Sequence, residues 1–137
     1  MLLLLCSAFP AFAADQVVLI VSANSPVSSL NILEIHKLFL GLTVNVNGTA
    51  LRPLRNESDQ STRQIFYQNI VSMSETVYER RVLAQTLQNG RTAPPIFQTS
   101  EALMNAVAGD PYAVSYAWAT EASIDKRVRI LRDLGRE

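Results

Sequence analysis

Val17-Val18-Leu19-Ile20-Val21 is an unbroken run of β-branched and aliphatic residues with no polar alternation. A strand with one face in water alternates apolar and polar residues, whereas a strand covered on both faces reads as a continuous apolar run. The run therefore predicts a central strand in a sheet flanked by helices. Ser25-Pro26 closes it with a turn. Asn31 then stands three residues before Glu34, the spacing of a capping box with Asn in place of Ser or Thr. Ile32, Ile35, Leu38, Phe39 and Leu42 recur at helical spacing, and Gly41 marks the stop. A buried strand followed at once by an amphipathic helix is the mark of an α/β protein.

The rest of the chain repeats the alternation. Asn47-Gly48, inside the turn 45–48, favours positive φ. Ala50 to Leu54 predicts a short second strand, placed at an edge or a strand end by Pro53. A second helix begins near Ser58 to Ser61 and turns Ile65, Phe66 and Ile70 inward. Ser74 caps a third, with Val77, Tyr78, Val82 and Leu87 as its buried side and Asn89-Gly90 as its end. After Pro94-Pro95, Ser100 caps a fourth helix carrying Leu103 and Val107, which stops at Gly109-Asp110-Pro111. Ala113 to Ala117 predicts a third strand and Val128 to Leu131 a fourth. No repeat or linker divides the chain, so the expectation is one α/β domain, a small mixed sheet flanked by four to five helices.

The composition excludes several functions. Twelve acidic and twelve basic residues are intermixed over 137 positions, giving a formal net charge of zero. There is no basic run to follow a nucleic acid, so no nucleic-acid partner is expected. Met1 to Leu5 opens an apolar stretch, broken at Pro10 and followed by the small residues of Ala11-Phe12-Ala13-Ala14. This predicts a cleavable signal peptide over 1–13, a domain over 14–137 and a periplasmic location. The stretch is shorter than the roughly 20 apolar residues that span a bilayer. It departs from the usual signal in having no Lys or Arg before the leucines. Cys6 follows Leu5 where a lipoprotein would have a small residue, and cleavage after Ala13 leaves no cysteine for disulfide or thiol chemistry. His36 is the only histidine, too few to build a zinc set without cysteine. No nucleophile elbow surrounds any serine, and no Gly-rich phosphate loop is present. The chain is expected to be no enzyme and to carry no metal or cofactor.

One segment points to a ligand: Arg55-Asn56-Glu57-Ser58-Asp59-Gln60-Ser61-Thr62-Arg63-Gln64-Ile65-Phe66. A strand ends at Arg55, and hydroxyl residues gather where a helix starts. The first amides of a helix lack partners within it and carry partial positive charge. With Ser58, Ser61 and Thr62 hydroxyls and the Arg55 and Arg63 guanidiniums beside them, they would form a pocket for a tetrahedral oxyanion. The competing reading is plainer: Ser58 or Asp59 only caps the helix, and the arginines only pair with Glu57 and Asp59.

The order of motifs along the whole mature chain resembles the phosphate-type substrate-binding proteins of ATP-driven importers. Asn24-Ser25-Pro26, Leu38-Phe39-Leu40-Gly41, Arg55, then Ser61-Thr62-Arg63 with Phe66 follow that family's order. Gly90-Arg91-Thr92-Ala93-Pro94-Pro95 and Asp110-Pro111-Tyr112-Ala113-Val114-Ser115-Tyr116 come after them. The resemblance implies a single periplasmic-binding-protein-like lobe and a small inorganic anion, phosphate first, bound by Arg55, Ser58, Ser61, Thr62 and Arg63. It also implies a membrane transporter or sensor subunit as partner. The departures matter. Gln60-Ser61-Thr62 stands where the family has Ser-Gly-Thr, which removes the glycine that lets backbone approach a ligand. The stretch from Arg55 to Thr62 is one residue longer, and Ser115 replaces a glycine. Family members close two lobes on their anion. A second wall here would come from another copy of the chain, as a homodimer, or from another protein. The alternative expectation is an interaction or sensory module that keeps the lobe and has lost the ligand.

Overall fold

Strand β1 (Gln16–Ser22) is the buried run, and it lies inside a four-stranded sheet. This computed structural model describes residues 15–136; the stretch read above as a signal peptide, with Cys6, lies outside the described residues. Chain order continues with α1 (Ile32–Phe39), the hairpin β2 (Asn45–Val46) and β3 (Thr49–Ala50), β4 (Arg52–Pro53) and β5 (Arg55–Asn56). Helix α2 (Gln60–Ile65) runs directly into a π-helical turn (Phe66–Ile70). Then come α3 (Glu75–Asn89), β6 (Ile96–Phe97), α4 (Ser100–Ala108), β7 (Ala113–Trp118), α5 (Ala119–Ile124) and β8 (Val128–Arg136).

The sheet order is β4-β7-β1-β8. β1 is antiparallel to both neighbours, with Leu19 opposite Tyr116 and Ile20 opposite Ile130, while β4 lies parallel to β7 at the edge. Because successive side chains leave a strand on opposite faces, β1 serves two cores. Val17, Leu19 and Val21 pack with Ile35, Leu38 and Phe39 of α1, with Phe66 and with Tyr78. Val18 and Ile20 pack with Leu103, Met104 and Val107 of α4. The two faces account for the missing polar alternation. Each fully covered aliphatic side chain contributes about 1.5–3 kcal/mol over leaving it in water.

Local signals set the element ends. The Asn31 side chain accepts the Glu34 amide at 2.8 Å while Glu34 accepts the Asn31 amide at 3.1 Å, closing the capping box. Asn47 and Gly48 both hold positive φ, +52° and +77°, as a two-residue hairpin of primed type requires. Gly90 ends α3 in the left-handed conformation.

Four expectations are corrected. Ile32 and Leu42 are exposed, because α1 is only two turns long and turns Ile35, Leu38 and Phe39 inward. Val77 and Leu87 are exposed as well: α3 is anchored by the i, i+4 pair Tyr78 and Val82, and the other two sit off that stripe. Thr99, not Ser100, caps α4, its hydroxyl accepting the Ala102 amide. The strand read over 50–54 is three short pieces pairing with different partners: β3 with β2, β4 with β7, and β5 with β6. The segments β6 and α5 had no recognised signal.

Candidate functional site

The turn from β5 into α2 brings together the residues that the sequence singled out. β5 is parallel to β6, and the Arg55 amide donates to the Pro95 carbonyl at 2.8 Å. That pairing sends the Arg55 side chain inward, where it is 4% exposed. Its guanidinium donates to Tyr67 Oη at 2.8 Å, to Glu57 at 3.1 Å and to Glu79 at 3.3 Å. It also lies 4.9 Å from the ring centres of both Phe66 and Tyr78, within cation–π range. The π-helical turn sets Phe66 and Tyr67 side by side against this guanidinium, and π turns often mark such sites. Burial pushes the Tyr67 and Tyr78 hydroxyls above the ordinary tyrosine range, so both are neutral donors and acceptors at neutral pH.

At the start of α2 the first occupant is a carboxylate of the chain itself. Asp59 Oδ1 accepts the Thr62 amide at 2.7 Å, and Oδ2 accepts the Trp118 indole N–H at 2.7 Å. Partial burial alone would raise this carboxyl. The Thr62 amide and the Trp118 indole outweigh it and hold Asp59 below the ordinary carboxylate range. Thr62 is fully buried, and its hydroxyl lacks a partner of ordinary hydrogen-bond geometry. Ser58 is half-buried and donates its amide to Asn56 Oδ1 at 2.9 Å. Ser61 is half-buried in the first turn of the helix. Arg63 pairs with Glu75 and, at 3.4 Å, with Glu57.

The five sequence-predicted residues thus share one neighbourhood, with Asp59 capping the first turn of α2. Two guanidiniums, Arg55 and Arg63, stand among four carboxylates: Glu57, Asp59, Glu75 and Glu79. A cleft of about 610 Å³ is lined by none of the five. Sequence reading missed the residues that build the neighbourhood. Asn56 is fully buried, donating its side-chain amide to the Tyr116 carbonyl at 2.8 Å and its backbone N–H to Tyr116 Oη at 3.1 Å. Tyr67 and Tyr78 sit on helices whose aromatic residues read as ordinary core. Trp118, at the end of β7, is the indole partner of Asp59.

No protein-family model matches the chain, and no curated protein matches it. Solved structures do. An ABC-type phosphate transport receptor from Vibrio cholerae superposes with a TM-score of 0.63 at 16% identity, over 87% of this chain and 46% of that one. A putative phosphate ABC transporter substrate-binding protein with bound phosphate, from Clostridium perfringens, gives 0.65 at 22% identity, over 87% and 45%. PstS from Borrelia burgdorferi gives 0.61 at 13% identity, over 88% and 47%. The chain therefore has the fold of the phosphate-type substrate-binding proteins and spans just under half the length of each.

Proposed function

We propose that this chain is a non-catalytic docking lobe of the cell envelope, with substrate-binding-protein architecture and a membrane transporter or sensor subunit as partner. The placement outside the cytoplasm rests on the leader read over residues 1–13. The observation that carries the reading is Asp59: its carboxylate takes the Thr62 amide and the Trp118 indole at the position where a bound oxyanion would sit. An incoming phosphate would meet more carboxylates than guanidiniums. Like charges about 4 Å apart repel by about 1 kcal/mol in water and about 4 kcal/mol near a protein surface. Arg55, which the resemblance makes an anion ligand, already serves Glu57, Glu79 and Tyr67.

A second reading keeps the oxyanion, as a receptor subunit of a phosphate importer. Favouring it are the shared fold with a Clostridium perfringens protein that holds phosphate, and the gathering of Arg55, Ser58, Ser61, Thr62 and Arg63 at one turn. It requires Asp59 to swing aside and another molecule to supply the second wall. Calorimetry of the purified protein with phosphate and with sulfate separates the two. The docking reading expects no saturable heat at millimolar anion. A saturable isotherm that weakens in Ser58→Ala and strengthens in Asp59→Ala would overturn it and establish the receptor.

A further inference from the structure

The Arg91-to-Pro95 segment, which ends at the Pro95 carbonyl that takes the Arg55 amide, forms one wall of the 610 Å³ cleft. Leu38 of α1 and Leu54, after β4, are on the lining and nearly fully buried, so they make an apolar floor. Leu42, 36% exposed, and Pro94 and Pro95 complete the apolar lining. Arg91 Nη1 donates to the Gly41 carbonyl at 3.0 Å, which ties the guanidinium to the cleft. Arg91 makes no other hydrogen bond or ion pair among the described residues. Arg52, the second guanidinium of the lining, is already neutralised by two bonds to Asp110. The cleft therefore has an apolar interior and one uncompensated positive charge.

We propose that this cleft binds a small amphipathic anion, an apolar body of one or two rings or a short chain, with its carboxylate or sulfonate held by Arg91. The volume lies within the roughly 300–1,000 Å³ of small-molecule sites, which combine apolar walls with few polar groups. A guanidinium with free N–H donors matches a planar or tetrahedral oxyanion group. An extended peptide would find no free backbone amide along β4, since the Leu51 N–H is taken by the Val44 carbonyl at 2.9 Å and Pro53 has none.

Fluorescence titration with anilinonaphthalene sulfonate tests the site, with uncharged phenylnaphthylamine as the comparison. Saturable one-to-one binding of both probes is expected. Arg91→Gln should raise the Kd of the sulfonate about tenfold, the loss of one charge-assisted contact, and leave the uncharged probe unchanged. Ala93→Trp, at an exposed wall position, should abolish binding of both while the thermal melt stays as it was. Failure to saturate, equal effects of Arg91→Gln on the two probes, or indifference to Ala93→Trp overturns the proposal. The cleft is separate from the Asp59 mouth, so neither result of phosphate calorimetry decides it.

Discussion

Asp59 shows how one side chain serves both as helix cap and as internal anion, and its titration follows from that. Its folded carboxyl ionises below the ordinary value of 3.8, so at acid pH the unfolded chain binds more protons there than the folded one. The contribution is whole above that value and is lost as pH falls through the folded one. Asp110, held down by Arg52, shifts the same way. Melting temperature is expected to fall on acidification below about pH 4. Asp59→Asn, which still caps the helix but offers one acceptor fewer, should flatten part of that fall in a melt series against pH. Tyr116 is a second residue-scale test. In Tyr116→Phe the buried Asn56 amide loses its acceptor, which costs about 1–3 kcal/mol. That should lower the melting temperature by roughly 5–10 °C in calorimetry. No change would mean that the amide finds another partner.

Elements here are held by few anchors, and the substitutions that matter are correspondingly local. α3 runs for 15 residues but buries only Tyr78 and Val82. Val82→Ala is expected to cost about 1–3 kcal/mol, whereas Leu87→Gln on the 77% exposed position should stay within about 0.5 kcal/mol in denaturant titration. Equal costs would show that the outer face of α3 is covered in solution. At the far end of β8, Gly135 holds φ +125°, and a Cβ there would come within 2.2 Å of Asn69 Nδ2. That amide donates to the Leu134 carbonyl at 2.9 Å, tying the π-helical turn region to the last strand. Gly135→Ala combines backbone strain with a broken tie. Loss of about 1–3 kcal/mol is expected, with hydrogen exchange of β8 amides rising more than that of β7. Uniform acceleration would place the effect in the whole sheet.

On the scale of the molecule, the central strand comes first in sequence and its partners come last. β1 pairs with β7 and β8, roughly a hundred residues away, and the two cores close only when those strands arrive. Such non-local pairing slows folding relative to a helical protein of this size. Refolding in stopped-flow fluorescence of Trp118 is expected on the millisecond-to-second scale, with a single equilibrium transition shared by fluorescence and circular dichroism. Two separate transitions would show that the α1 and α4 faces fold independently. The same topology leaves β4 as an edge, where Pro53 discourages pairing with another chain.

Local chemistry determined a good deal by itself. The unbroken apolar run of β1, the Asn31 capping box, the Asn47-Gly48 turn and the stop at Gly90 are all short-range effects. They depend on φ preferences, on side chains reaching neighbouring amides, and on the period of apolar residues, and all are legible in the string of residues. The order of motifs likewise carried the single-lobe architecture. Only the tertiary structure decided what the turn after β5 holds. Whether Arg55 faces water or Glu57, Glu79 and Tyr67 depends on which residues β6, α3 and the π-helical turn carry to it from up to forty positions away. Asp59 meets Trp118 across 59 residues. Charges separated along the chain set the sign of a site only once the fold has brought them within a few ångströms, because Coulomb interaction depends on distance in space and on burial, and sequence records neither.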